Sequence, residues 1–167
     1  DVPEHTWMLA TMLHHAGVDF MMIGCNGRSG PLRVPPLFWW EGPDGSRVLT
    51  LYSTKYGTQL MPPKDWPYHT WLALLNTGDN RGPPKPEEVK QVLAQAAKEL
   101  PGVEVRIGRM SDFADAVLAE KPSLPVVRGD APDTWIHGPM SDPAGARIAR
   151  NTRPLITLTE SLNTQLR

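Results

Sequence analysis

The chain has 167 residues, a length that suits one ordinary domain with a real core. Hydrophobic residues make up 40% and charged residues 21%, and the formal net charge is −1. That balance is globular and gives no electrostatic reason to expect nucleic acid or an anionic membrane as a partner. No run approaches the ~18 apolar residues of a membrane span. Asp1-Val2-Pro3-Glu4-His5 has neither the basic nor the apolar region of a signal peptide, and the missing initiator Met leads us to expect a natural chain that begins upstream. The single cysteine, Cys25, excludes an intrachain disulfide and a Cys-cluster zinc site. Eighteen prolines and six tryptophans are both high counts. The prolines fall between apolar runs, which points to a loop-rich α/β chain with aromatic-lined loops.

In chain order, Thr6 to Ala16 presents Trp7, Met8, Met12 and Leu13 on one helical face, and Gly17 suits the left-handed C′ position. Val18 to Ile23 reads as a short, mostly apolar strand, and residues 24 to 36 as a loop. Leu37 to Glu41 and Arg47 to Tyr52 are extended, joined by Gly42-Pro43-Asp44-Gly45-Ser46, so a hairpin is predicted. Residues 53 to 68 form another proline-bearing loop. Trp71 to Leu75 reads as a buried strand running into the polar loop Asn76 to Pro84. A helix from Glu87 to Leu100 follows, with Pro86 in its first turn. Val103 to Ile107 alternates as a strand, and Ser111 is expected to cap a helix through about Glu120. Leu124 to Val127 is extended. Asp142 to Leu166 is helical, with Pro154 expected to kink or split it.

This order predicts an α/β fold with a parallel sheet in its middle. Such folds place their sites in loops at the carboxyl ends of strands. Asp79 falls at such a place, and Asp1 does too if a strand precedes it. Two carboxylic acids are what glycoside cleavage needs: one protonates the leaving oxygen, while the other attacks the anomeric carbon or activates water. On spacing alone, however, Asp79 reads first as a turn residue in a Gly-Asp-Asn loop. His14 and His15 are adjacent on a helix and do not share a face, so they read as surface groups. His137, in the polar-aromatic run Asp133 to Gly138, is the histidine that reads as a site candidate. There is no self-contained zinc motif, nucleophile elbow, phosphate loop or dinucleotide fingerprint.

Several stretches together resemble the catalytic region of glycoside hydrolase family 38, the α-mannosidases and their bacterial relatives. Asp1-Val2-Pro3-Glu4-His5-Thr6-Trp7 is similar to the family's nucleophile segment. Phe38-Trp39-Trp40-Glu41-Gly42-Pro43-Asp44-Gly45-Ser46-Arg47-Val48-Leu49 is similar to its aromatic-Trp, Gly-x-Asp-Gly-Ser hairpin and is the most specific stretch. Leu74-Leu75-x-x-Gly78-Asp79 resembles the loop with the acid/base aspartate. Leu124 to Asp130, then Trp135-Ile136-His137-Gly138 and an Arg-rich helix, resemble the passage from barrel to helical domain. The resemblance covers nearly the whole chain in order. It departs at Glu41, where many mannosidases carry Arg, and a shift of one residue would set Asn80 in the acid/base position.

The resemblance implies part of a seven-stranded (β/α) barrel over residues 1–130, running into the first helix of a helical-bundle domain over 131–167. It implies a zinc-dependent retaining hydrolase acting on a carbohydrate. Asp1 would be nucleophile and zinc ligand, Asp79 the acid/base, and Trp39, Trp40, Trp135 and His137 sugar contacts. The remaining zinc ligands would lie outside this chain, in the rest of the parent polypeptide. The rival expectations are a barrel-related polysaccharide deacetylase using zinc-bound water and a non-catalytic carbohydrate-binding relative.

Overall fold

The computed structural model describes residues 5–25, 32–75, 77–78, 81–131 and 142–166. The first element, α1 (Met8–His15), ends as its glycine predicts. Gly17 adopts φ +76°, its N–H donates to the His14 carbonyl at 3.0 Å, and the Val18 N–H reaches the Leu13 carbonyl at 2.9 Å. Those two bonds form a Schellman motif, which satisfies the last carbonyls of the helix and turns the chain into the sheet. β1 (Phe20–Gly24) follows, then the hairpin of β2 (Leu37–Glu41) and β3 (Arg47–Ser53).

The hairpin forms for the chemical reason its turn suggests. Gly45 takes φ +84°, its N–H donates to the Gly42 carbonyl, and the Gly42 N–H returns to the Ser46 carbonyl at 2.8 Å. This closure fixes the register, so Trp39 faces Leu49 and Glu41 faces Arg47. Two helices, α2 (Pro86–Glu99) and α3 (Met110–Ala119), precede the two-residue strand β4 (Val126–Val127), and α4 (Pro143–Gln165) is the last element. At the starts of α2 and α3 an acid accepts from the N-cap N–H three residues before it, Glu88 from Lys85 at 2.7 Å and Asp112 from Arg109 at 2.8 Å, so the N-cap of α3 is Arg109 and not Ser111, which lies inside the helix.

The four strands lie in the order β1-β3-β2-β4. β1 runs parallel to β3 and β4 parallel to β2, while the hairpin pair is antiparallel. Successive residues of the central strands therefore feed two cores. Phe38, Trp40 and Tyr52 join Ala10 of α1 and Ile23 on one face. Leu37, Leu49 and Leu51 join Phe113, Ala114 and Val117 of α3 on the other.

The seven-stranded barrel is therefore corrected: the described residues form a small α/β fold with a four-stranded, mixed, open sheet and four helices. Two physical reasons account for the difference. The hairpin reverses β2, which makes a purely parallel sheet impossible. Two segments that read as strands also find no sheet partner. Residues 71–75 lie outside the strands; there the Thr58 hydroxyl donates to the Leu72 carbonyl and accepts from the Leu74 N–H at 2.6 Å. These bonds from a residue 14 and 16 positions away take up backbone groups that a ladder would otherwise use. Residues 103–107 likewise form no strand, and Ile107 is 74% exposed. Pro154 does not split the last helix, since α4 continues through it as one element. None of the side chains of α4 is buried, so it does not sit in a helical bundle among the described residues.

Candidate functional site

The two acids that carry the sequence argument, Asp1 and Asp79, lie outside the described residues, as do Asn80, Trp135 and His137. What the structure does describe is the seat of the segment that follows Asp1. His5 pairs with Ala131 as an antiparallel bridge, the Ala131 N–H donating to the His5 carbonyl at 2.8 Å. Two residues on, the Trp7 backbone N–H donates to Asp130 Oδ1 at 2.7 Å, and the Trp7 indole N–H donates to the Glu41 carbonyl at 2.7 Å. The start of α1 is thus fastened to the end of β2 and to the chain just after β4.

Glu41 is the hub of this corner. Only 8% of the residue is exposed. One carboxylate oxygen accepts from Arg47 at 2.7 Å, and the other accepts from the Nε and Nη2 of Arg128. The Arg47 hydrogen bond, followed by the Arg128 contacts, holds the Glu41 carboxyl below its usual pKa against the opposing effect of desolvation. A carboxylate satisfied by two guanidinium groups has little capacity left for a ligand, so Glu41 acts as a tie between strands. Hairpin register made half of this legible, because a five-residue turn sets Glu41 opposite Arg47. Arg128 is 87 positions away from Glu41 and no local pattern announces it.

The two expected sugar contacts within the described residues separate. Trp40 is 1% exposed, with its indole N–H donating to the Gly129 carbonyl at 3.0 Å and its ring edge-on to His5 at 6.5 Å. It is core among the described residues. Trp39 points to the other side of the sheet, is half-buried, and packs beside the second core. His5 is itself half-buried, and the loss of water lowers its pKa.

A second polar knot closes the hairpin turn onto α1. Asp44 accepts from the Thr11 hydroxyl at 2.7 Å and from the Ser46 hydroxyl and N–H, and meets His15 Nε2 at 2.9 Å. These bonds, led by the Ser46 hydroxyl, hold its carboxyl far below the usual range. The approach is close: a Cβ on Gly42 would stand 2.8 Å from the backbone nitrogen of Thr11. His14 lies against the Arg47 carbonyl at 3.2 Å, so both histidines of α1 serve contacts within the fold.

An aromatic group also lies in the loop after β3. The Trp66 ring stands edge-on to Tyr68 at 5.1 Å and to Trp71 at 4.8 Å, and both indole N–H groups are taken by backbone carbonyls, of Thr70 and Gln59. Trp66 and Tyr68 cap the second core, which accounts for part of the high tryptophan count.

Among the described residues no three His, Cys, Asp or Glu side chains converge as a metal site requires. This part of the chain therefore does not by itself build the zinc centre that the resemblance implies. Comparison with protein-family models, with curated proteins and with solved structures finds no match to this chain.

Proposed function

We propose that this chain is part of a retaining glycoside hydrolase of the α-mannosidase type. What carries the reading is the stretch Phe38 to Leu49, the most specific element of the resemblance, together with the ordered recurrence of the other stretches along the chain. In support, that stretch folds as the β2–β3 hairpin with a Gly-Pro-Asp-Gly-Ser turn at the centre of the sheet. In this reading Asp1 attacks the anomeric carbon and forms a glycosyl ester. Asp79 protonates the departing oxygen and then takes a proton from the water that releases the sugar. Trp39, Trp135 and His137 are the remaining candidate sugar contacts. Zinc belongs to the reading as a cofactor whose ligands lie mainly in the rest of the parent polypeptide, with Asp1 the candidate ligand in this chain.

The test is covalent trapping in the full-length protein. A fluorinated mannoside that slows ester hydrolysis should add one sugar to the peptide containing Asp1, and Asp79→Asn should depress turnover. Deacetylation of a polysaccharide with no adduct would move the chain to zinc-bound water chemistry. Sugar binding without either reaction would make it a lectin-like relative.

A further inference from the structure

Gly24 and Ser53 stand side by side at the carboxyl ends of the parallel pair β1 and β3. Loops at such strand ends are where α/β folds place ligands. The chain after β3 lies close over this edge, since a Cβ on Gly24 would stand 2.7 Å from the Lys55 carbonyl oxygen. Thr58 then ties that chain to residues 72–74. Its N–H donates to the Leu74 carbonyl at 2.9 Å, and its hydroxyl serves both the Leu72 carbonyl and the Leu74 N–H. One residue further on each side of this link, the Trp71 indole N–H donates to the Gln59 carbonyl at 2.8 Å. Trp71, unlike Trp66, packs against neither core and is part-exposed. Its ring is nonetheless held, by the bond to Gln59 and by edge-on contact with Trp66 at 4.8 Å. Gln59 is exposed, and among the described residues its side-chain amide has no hydrogen-bond partner.

We propose that Trp71 and Gln59 form a sugar-binding subsite at this edge of the sheet, for a neutral hexopyranose unit of the substrate. The proposal rests on the glycosidase reading, but neither Asp1 nor Asp79 enters it. A pyranose ring has a face of C–H groups and a rim of hydroxyls. The part of the indole that Trp66 leaves uncovered suits the face, through dispersion and the negative charge over the ring. The Gln59 amide, with two donors and an acceptor, suits the rim. Because the indole is already fixed by Gln59 and Trp66, little side-chain freedom is lost when sugar binds.

The test is calorimetric titration of the full-length protein with a sulfur-linked α-mannotriose, which resists hydrolysis. Trp71→Ala should weaken binding by roughly fivefold to tenfold. Gln59→Leu should weaken it by roughly threefold to tenfold and leave the melting temperature unchanged, because the main-chain carbonyl that holds the indole remains. Should Trp71→Ala fail to fold, Gln59→Leu decides alone. A wild type that binds the trisaccharide, with either folded variant binding it equally well, overturns the subsite while leaving the glycosidase reading intact. A wild type that binds no mannoside and forms no adduct at Asp1 overturns that reading and the subsite with it.

Discussion

At the scale of single residues, His5, Glu41, Asp44 and Asp112 are placed so that the fold loses stability in acid, in two different windows. His5 is half-buried against Trp40, so folding disfavours its charged form and lowers its pKa. Below the ordinary histidine value of ~6.5 the unfolded chain binds the proton more readily. Stability should therefore begin to fall as pH drops through that value. Glu41, Asp44 and Asp112 are depressed by their hydrogen bonds: to Arg47 first, to Ser46 first, and to the Arg109 N–H first, respectively. Their contribution is complete above the ordinary carboxylate range near pH ~4 and disappears as pH falls through the depressed values. Melting temperature measured from pH 8 to pH 2 should show two declining stages, and His5→Gln should abolish the upper one. An upper stage that survives His5→Gln would assign it to another group.

At the scale of elements, the segments read correctly from sequence carry their own local instructions. α1 has its Gly17 stop and the hairpin has its Pro43–Gly45 turn, while α2 and α3 carry acids in the first turn that reach back to the N-cap. The segments misread as strands carry an apolar run or an alternation, which says that a strand is possible but not which edge it joins. In Trp71 to Leu75, Leu72 packs against the second core while Leu75 is exposed, and the backbone bonds instead to Thr58. Val103 to Ile107 alternates, yet its apolar residues remain at the surface. The corner at Glu41 was half legible for the related reason that Arg47 is its hairpin partner and Arg128 is distant in sequence. An unpaired surface segment has a testable signature. Ile107→Ser should leave stability within ~0.5 kcal/mol of wild type. A loss of ~2 kcal/mol or more in urea denaturation, of the size seen when a buried apolar side chain is removed, would show that the segment is packed after all.

At the scale of the whole molecule, stability should be concentrated in one place. Among the described residues, β2 and β3 are the strands with a neighbour on both sides, and their side chains enter both cores. α1 and α3 cover the two faces. α2 buries only Ala96, and α4 buries nothing. Among the described residues, this helix of 23 residues with an internal proline buries no side chain and is held by hydrogen bonds within itself and by its Asp142 cap, and isolated helices in water are marginal. Ile148, Leu155, Leu158 and Leu162 stand exposed along it, so its own sequence does not supply what would steady it. Native-state hydrogen exchange should therefore be graded. Amides of Arg47 to Ser53 should exchange only with global unfolding, those of α1 and α3 somewhat faster, and those of Pro143 to Gln165 near the rate of an unstructured chain. Peptide-resolved mass spectrometry separates these segments directly. Protection across α4 equal to that of β3 would mean the helix is covered in solution, and the gradient of stability drawn from this fold would then be wrong at that end of the chain.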